Sequence, residues 1–147
     1  MTTHRFSTMK ARLTSETTRT ALRWLAAFLF VLAGANHFLH PHFYERIVPP
    51  GFPSPRILVI VSGLAEIAGG LGLLIRPLRR VAGWSLIVLL LAVFPANIHM
   101  ALHPDRFGMP PWMLWMRLPL QVVLVAWVWW VALSRSQRKR MSPSGDR

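Results

Sequence analysis

Val59-Ile60-Val61-Ser62-Gly63-Leu64-Ala65-Glu66-Ile67-Ala68-Gly69-Gly70-Leu71-Gly72-Leu73-Leu74-Ile75 is apolar or small throughout except for one carboxylate near its middle. The stretch is long enough to cross a bilayer. An acid at that depth costs several kcal/mol unless it is partnered or neutral, so Glu66 is a candidate functional residue. Ser62, Gly63, Ala65, Ala68, Gly69, Gly70 and Gly72 surround it. Small residues three and four apart admit a neighbouring helix at close range. The segment therefore reads as an inner helix of a bundle, with Glu66 turned away from lipid.

Three more windows of this kind flank it in a chain of 147 residues that is 53% hydrophobic. The expected plan is a basic cytoplasmic tail over 1–20, four spans, and a second basic tail over 134–147. The spans fall at about 21–39, 57–75, 81–102 and 112–133, within a transmembrane domain over 21–133. Residues 1 to about 15 are polar and basic and are expected to lack regular structure. No period-2 alternation supports a barrel, so the fold class is an all-α membrane bundle. A rival reading takes the first span as a signal peptide, because Ala33-Gly34-Ala35 mimics a cleavage site. Intact mass separates the two.

The net charge is +12. In a soluble chain that would point to nucleic acid. Here the basic residues flank the apolar windows, so they mark topology, and the partner is the lipid bilayer. Thirteen of the 17 Lys and Arg residues fall on one side of the spans. The other four are Arg46, Arg56, Arg106 and Arg117. The positive-inside rule then puts both termini in the cytoplasm and the chain in the plasma (inner) membrane. Cysteine is absent, which excludes disulfide and thiol chemistry.

The loops are rich in proline. Pro49-Pro50-Gly51-Phe52-Pro53-Ser54-Pro55 favours extended and turn backbone. Pro95 lies inside span 3 and should free a backbone carbonyl near Leu91. Pro119 lies inside span 4, and Pro110 or Pro111 starts it. An internal echo joins the halves. Asn36 and Asn97, Pro49-Pro50 and Pro110-Pro111, and Arg56 and Arg117 are each 61 residues apart, while His40-Pro41 and His103-Pro104 are 63 apart. Two parallel hairpin repeats would explain this; chance agreement of proline-rich turns would explain it as well.

The polar residues inside the spans gather in the outer half. Glu66 lies roughly 14 Å below the outer end of span 2, at the depth of Gln121 in span 4. Arg117 is one turn above Gln121 on the same face. Asn97 lies in span 3; Asn36 and His37 lie near the outer end of span 1. Such convergence predicts an outward-facing pocket with an apolar lining. Glu66 is expected to reach span 4, at Arg117 or Gln121. The alternative is a plug of hydrogen bonds that only joins helices. The pairs His37/His40 and His99/His103 have spacings that suit a metal or haem, but no acidic or thiolate ligands cluster with them, so no metal site is assigned. No hydrolase triad or phosphate loop is present.

Several stretches taken together resemble the DoxX-like family of small four-span membrane proteins. They are Ala33-Gly34-Ala35-Asn36-His37-Phe38, the Pro49-Pro50 to Pro53 loop, Ser62-Gly63-Leu64-Ala65-Glu66 with Gly69-Gly70-Leu71-Gly72-Leu73-Leu74, Phe94-Pro95-Ala96-Asn97-Ile98, and Arg117-Leu118-Pro119-Leu120-Gln121. The resemblance implies a four-helix membrane bundle, and for some relatives a link to quinone-coupled oxidation of sulfur compounds or to membrane redox complexes. It places Glu66, Asn97, Arg117 and Gln121 in shared motifs without a catalytic role. The expected function is therefore an accessory subunit rather than an enzyme on its own. It would bind an apolar ligand such as quinone through Glu66, Arg117, Gln121, Asn97, Asn36 and His37, and would serve a membrane redox or stress-response partner. No covalently bound cofactor is expected. A scaffold or assembly factor, a homo-oligomer, and a proton-coupled transporter using Glu66 are the alternatives.

Overall fold

The computed structural model describes the backbone of residues 3–134 and the side chains of residues 16–134. Its helices are α1 (Thr3–Leu39), α2 (Pro41–Ile47), α3 (Pro55–Leu74), α4 (Arg79–Leu102) and α5 (Pro111–Val128). A 3-10 turn, Pro104–Arg106, joins α4 to α5, and a π-helical turn, Trp129–Leu133, ends α5. Four segments are long and apolar enough to cross a membrane: Glu16–Leu39, Pro55–Leu74, Arg79–Leu102 and Pro111–Leu133. Each lies within a few residues of its expected span, apart from an earlier start of the first. The fold is an all-helical bundle with the four long apolar helices of a membrane protein.

Two expectations are corrected. The polar segment before residue 15 continues α1 back to Thr3. No Gly or Pro occurs before Gly34, so nothing in the sequence stops the helix. The stretch Pro41 to Arg56, expected to be a loop, opens with a two-turn helix, while its proline-rich part from Pro49 to Ser54 stays non-helical. Pro41 sits at the first position of that helix, where a missing N–H is harmless. The C-terminal tail from residue 135 lies outside the described residues.

The helices form a ring. α1 packs on α3, α3 on α4, and α4 on α5, while the π-helical turn closes back on α1. Residues Val81, Trp84, Val88 and Leu91 of α4 and Val61, Leu64 and Leu71 of α3 are large, apolar and exposed. They recur at helical spacing on outward faces, as lipid contact requires. Inside, one core cluster includes Ala26, Ala27, Phe30, Leu73, Leu86, Leu90, Val128 and Ala132. A second, under α2, holds Ile47, Met100, Ala101 and Leu114. Asn97 lies between Leu90 and Met100 along α4, and Gln121 lies between Leu114 and Val128 along α5.

The halves share a feature of backbone as well as of sequence. His40 has φ −130° and ψ 54°; His103 has φ −129° and ψ 57°. Each closes a long helix, and each is followed by a proline that starts a short helical turn. The 63-residue offset is thus repeated in chain geometry at the ends of α1 and α4.

Candidate functional site

Glu66 is placed by the way α3 crosses α1. A Cβ on Gly34 would lie 2.5 Å from the Gly63 carbonyl oxygen and 3.1 Å from Glu66 Cβ. One on Gly63 would lie 2.9 Å from His37 Cβ. One on Gly70 would lie 2.9 Å from the Ala27 carbonyl oxygen. Ala27 and Gly34, and Gly63 and Gly70, are each seven residues apart, two helical turns. Small residues at that interval let the two backbones touch. Glu66, one turn from Gly63, therefore faces α1.

There it meets His37. The Glu66 Oε2 atom lies 3.4 Å from His37 Nδ1, with the two side chains only 15% and 10% exposed. His37 Nδ1 also lies 2.9 Å from the Ala33 carbonyl oxygen. A carbonyl can only accept, so Nδ1 carries the proton and donates it there. Glu66 Oε2 is buried and has no hydrogen-bond partner among the described residues. The imidazole face is covered by Tyr44 of α2, with ring centroids 3.8 Å apart and planes 22° from parallel. Asn36 holds that tyrosine in place. Its Nδ2 donates to the Tyr44 hydroxyl at 2.9 Å, and its Oδ1 accepts from His40 Nδ1 at 2.8 Å. His37 and His40 thus engage their Nδ1 atoms with separate partners.

The other predicted residues form a separate cluster. Asn97 Nδ2 donates to Gln121 Oε1 at 2.7 Å, and Gln121 Nε2 donates to the Leu90 carbonyl. That carbonyl is one residue from the position expected to be released by Pro95. Arg117 is half-buried and shares with Asn97 and Gln121 a shallow cleft between α4 and α5.

The expected reach of Glu66 to Arg117 or Gln121 is therefore not found. The reason lies in the ring order: α3 packs on α1 and α4, and α5 packs on α4. Equal depth on two helices does not make them neighbours. Instead of one pocket lined by four helices there are two clusters. His37, Glu66 and Asn36 lie at the α1–α3 seam; Asn97, Gln121 and Arg117 lie at the α4–α5 seam. Sequence reasoning missed Tyr44 as the cover of His37. The only available signal was the proline start of α2, which brings an aromatic residue back over the end of α1.

Hydrogen bonds from Asn97 to Gln121 and from Gln121 to Leu90 join α4 to α5, and their role can be measured. Gln121→Leu would leave the Leu90 carbonyl and the Asn97 amide without their partner, at a cost of about 1–2 kcal/mol. Thermal unfolding in detergent should show that loss, and Asn97→Leu added to it should cost much less than it does alone.

Neither a curated protein nor a solved structure matches the chain. One family profile does match, over residues 25–132, which takes in both seams and nearly the whole of the four apolar segments. It is described as a domain of unknown function, DUF8561, and the chain belongs to that family.

Proposed function

We propose that this protein is a DoxX-like accessory subunit of the plasma (inner) membrane. It binds the polar head of an apolar molecule at the α1–α3 seam and serves a membrane redox or stress-response system. The observation that carries the reading is the buried Oε2 of Glu66, which has no hydrogen-bond partner among the described residues and lies beside an imidazole already committed to Ala33. A buried carboxyl oxygen left in this state is costly unless something donates to it. A quinol hydroxyl is a donor of the right kind, and the apolar faces of α1 and α3 suit its tail. When bound, a quinone would supply the electron and proton chemistry; Glu66 and His37 would bind and orient its head, with Tyr44 and Asn36 keeping the imidazole in place. Both termini are assigned to the cytoplasm. Arg19, Arg23, Arg76, Arg79 and Arg80 gather at one end of the bundle, and Arg46, Arg56 and Arg106 at the other, with Arg117 nearer that second end.

A scaffold or assembly role is the second reading. The hydrogen-bonded Asn97–Gln121–Leu90 cluster favours it, because that network already serves to join α4 to α5. Purification with native lipid, followed by mass spectrometry of what is retained, separates the two. The proposal expects a quinone-like molecule with the wild type and its loss, about tenfold or more, with Glu66→Ala, as for removal of a buried polar contact. A protein partner retained equally by both forms, with no such molecule, would favour the scaffold.

A further inference from the structure

The arginine-rich end of the bundle holds a second site of different chemistry. A cleft of about 300 Å³ opens there between α1, the end of α3 and the start of α4. Arg23, Arg76 and Arg79 line it, against a single carboxylate among the described residues, Glu16. Trp24 and Leu74 form its apolar wall. Arg23 comes from α1, and Arg76 and Arg79 come from the turn that joins α3 to α4, so the fold brings two distant parts of the chain together here.

Two of the guanidinium groups are fixed from behind. Arg79 Nε donates to the Leu73 carbonyl at 3.1 Å, and Arg23 Nε donates to the Val131 carbonyl at 3.2 Å. Arg23 is buried, 9% exposed. Cations at helix C-termini cap free carbonyls, and that accounts for the Nε atoms. Among the described residues the terminal nitrogen pair of each fork takes no further hydrogen bond, with Glu16 as the carboxylate that acts on Arg23 across the cleft. Arg19, the next arginine along α1, is committed elsewhere, to the carbonyls of Trp130 and Ser134. A planar fork whose torsions are already set binds a tetrahedral oxyanion in two-pronged fashion with little entropy to lose. Arg79 opens the apolar segment of α4 and Glu16 opens that of α1, so the cleft lies at headgroup level. Trp24, 61% exposed, suits that level too.

We propose that this cleft is a phosphate-binding site. It takes the phosphate of an anionic phospholipid headgroup, or of a phosphorylated solute, on the forks of Arg23, Arg76 and Arg79.

The test uses the full chain in detergent. Phosphatidylglycerol and phosphatidylcholine are titrated in mixed micelles, and inorganic phosphate is titrated against chloride at equal ionic strength. Arg76→Gln and Arg79→Gln are compared with Arg80→Gln, which removes the same charge from the same turn but does not line the cleft. Arg76 is exposed on the turn, so its replacement leaves the helices undisturbed. Tighter binding of phosphatidylglycerol, weakened about fivefold by each cleft substitution and not by Arg80→Gln, supports a headgroup site. Protection by inorganic phosphate alone, lost in the same two variants, supports a solute site. If neither probe exceeds its control on the wild type, or if Arg80→Gln weakens binding as much as the others, the proposal is overturned.

Discussion

Gly34→Val is expected to break the bundle at the seam that holds the candidate site. The first atom of a side chain there would stand 2.5 Å from the Gly63 carbonyl oxygen and 2.8 Å from Ile67 Cγ1. A backbone oxygen cannot step aside as a side-chain tip can. α1 and α3 would have to separate, and with them His37 from Glu66. Overpacking of a close interface costs typically 1–3 kcal/mol and more where backbone must move, so a loss of about 3 kcal/mol is expected. Ala68→Val, on an exposed face of α3, should change stability by less than about 0.5 kcal/mol. Thermal unfolding of both variants in detergent checks the contrast. Equal stability of Gly34→Val and wild type would mean that the helices do not touch there.

The spans were legible because lipid demands long apolar windows and punishes exposed backbone, so hydropathy, prolines and basic flanks determine them closely. Pro55 opens α3, Pro111 opens α5, and Arg76-Pro77 follows the end of α3. α2 was not legible, since seven residues beginning with proline read equally as a turn or a helix. The early start of α1 was missed for another reason. Its first residues are polar, and polarity was weighed above the absence of any helix-breaking residue.

The polar residues inside the spans were legible, and their pairings were not. Burial of Glu66 and a close approach by a glycine-rich face follow from residue type alone. Which helix makes the approach depends on ring order, which hydropathy does not encode. Gly34 on α1 is the residue that decides it, because it gives α3 a backbone to rest on. Asn97 and Gln121 pair with each other and with the Leu90 carbonyl, a pairing that their depths in the spans did not indicate.

The second large effect is expected for His37→Ala. The imidazole is buried, stacks on Tyr44, bonds to Ala33 and abuts Glu66. Truncation removes the stacking, worth about 0.5–1.5 kcal/mol, and leaves a gap under α2. A total loss of about 2–3 kcal/mol in unfolding free energy is expected. Asn36→Ala, which frees Tyr44 and His40 but keeps the ring, should cost less, about 1 kcal/mol.

The central claim is that Glu66 answers to His37 on α1 and not to Arg117 on α5. The most direct measurement is a pair of double-mutant cycles on unfolding in detergent. One joins Glu66→Gln with His37→Gln; the other joins Glu66→Gln with Arg117→Gln. The 3.4 Å contact predicts a coupling of about 1 kcal/mol in the first cycle and additivity within about 0.3–0.5 kcal/mol in the second. Coupling between Glu66 and Arg117 with additivity for His37 would contradict the structure of the site and the function proposed for it.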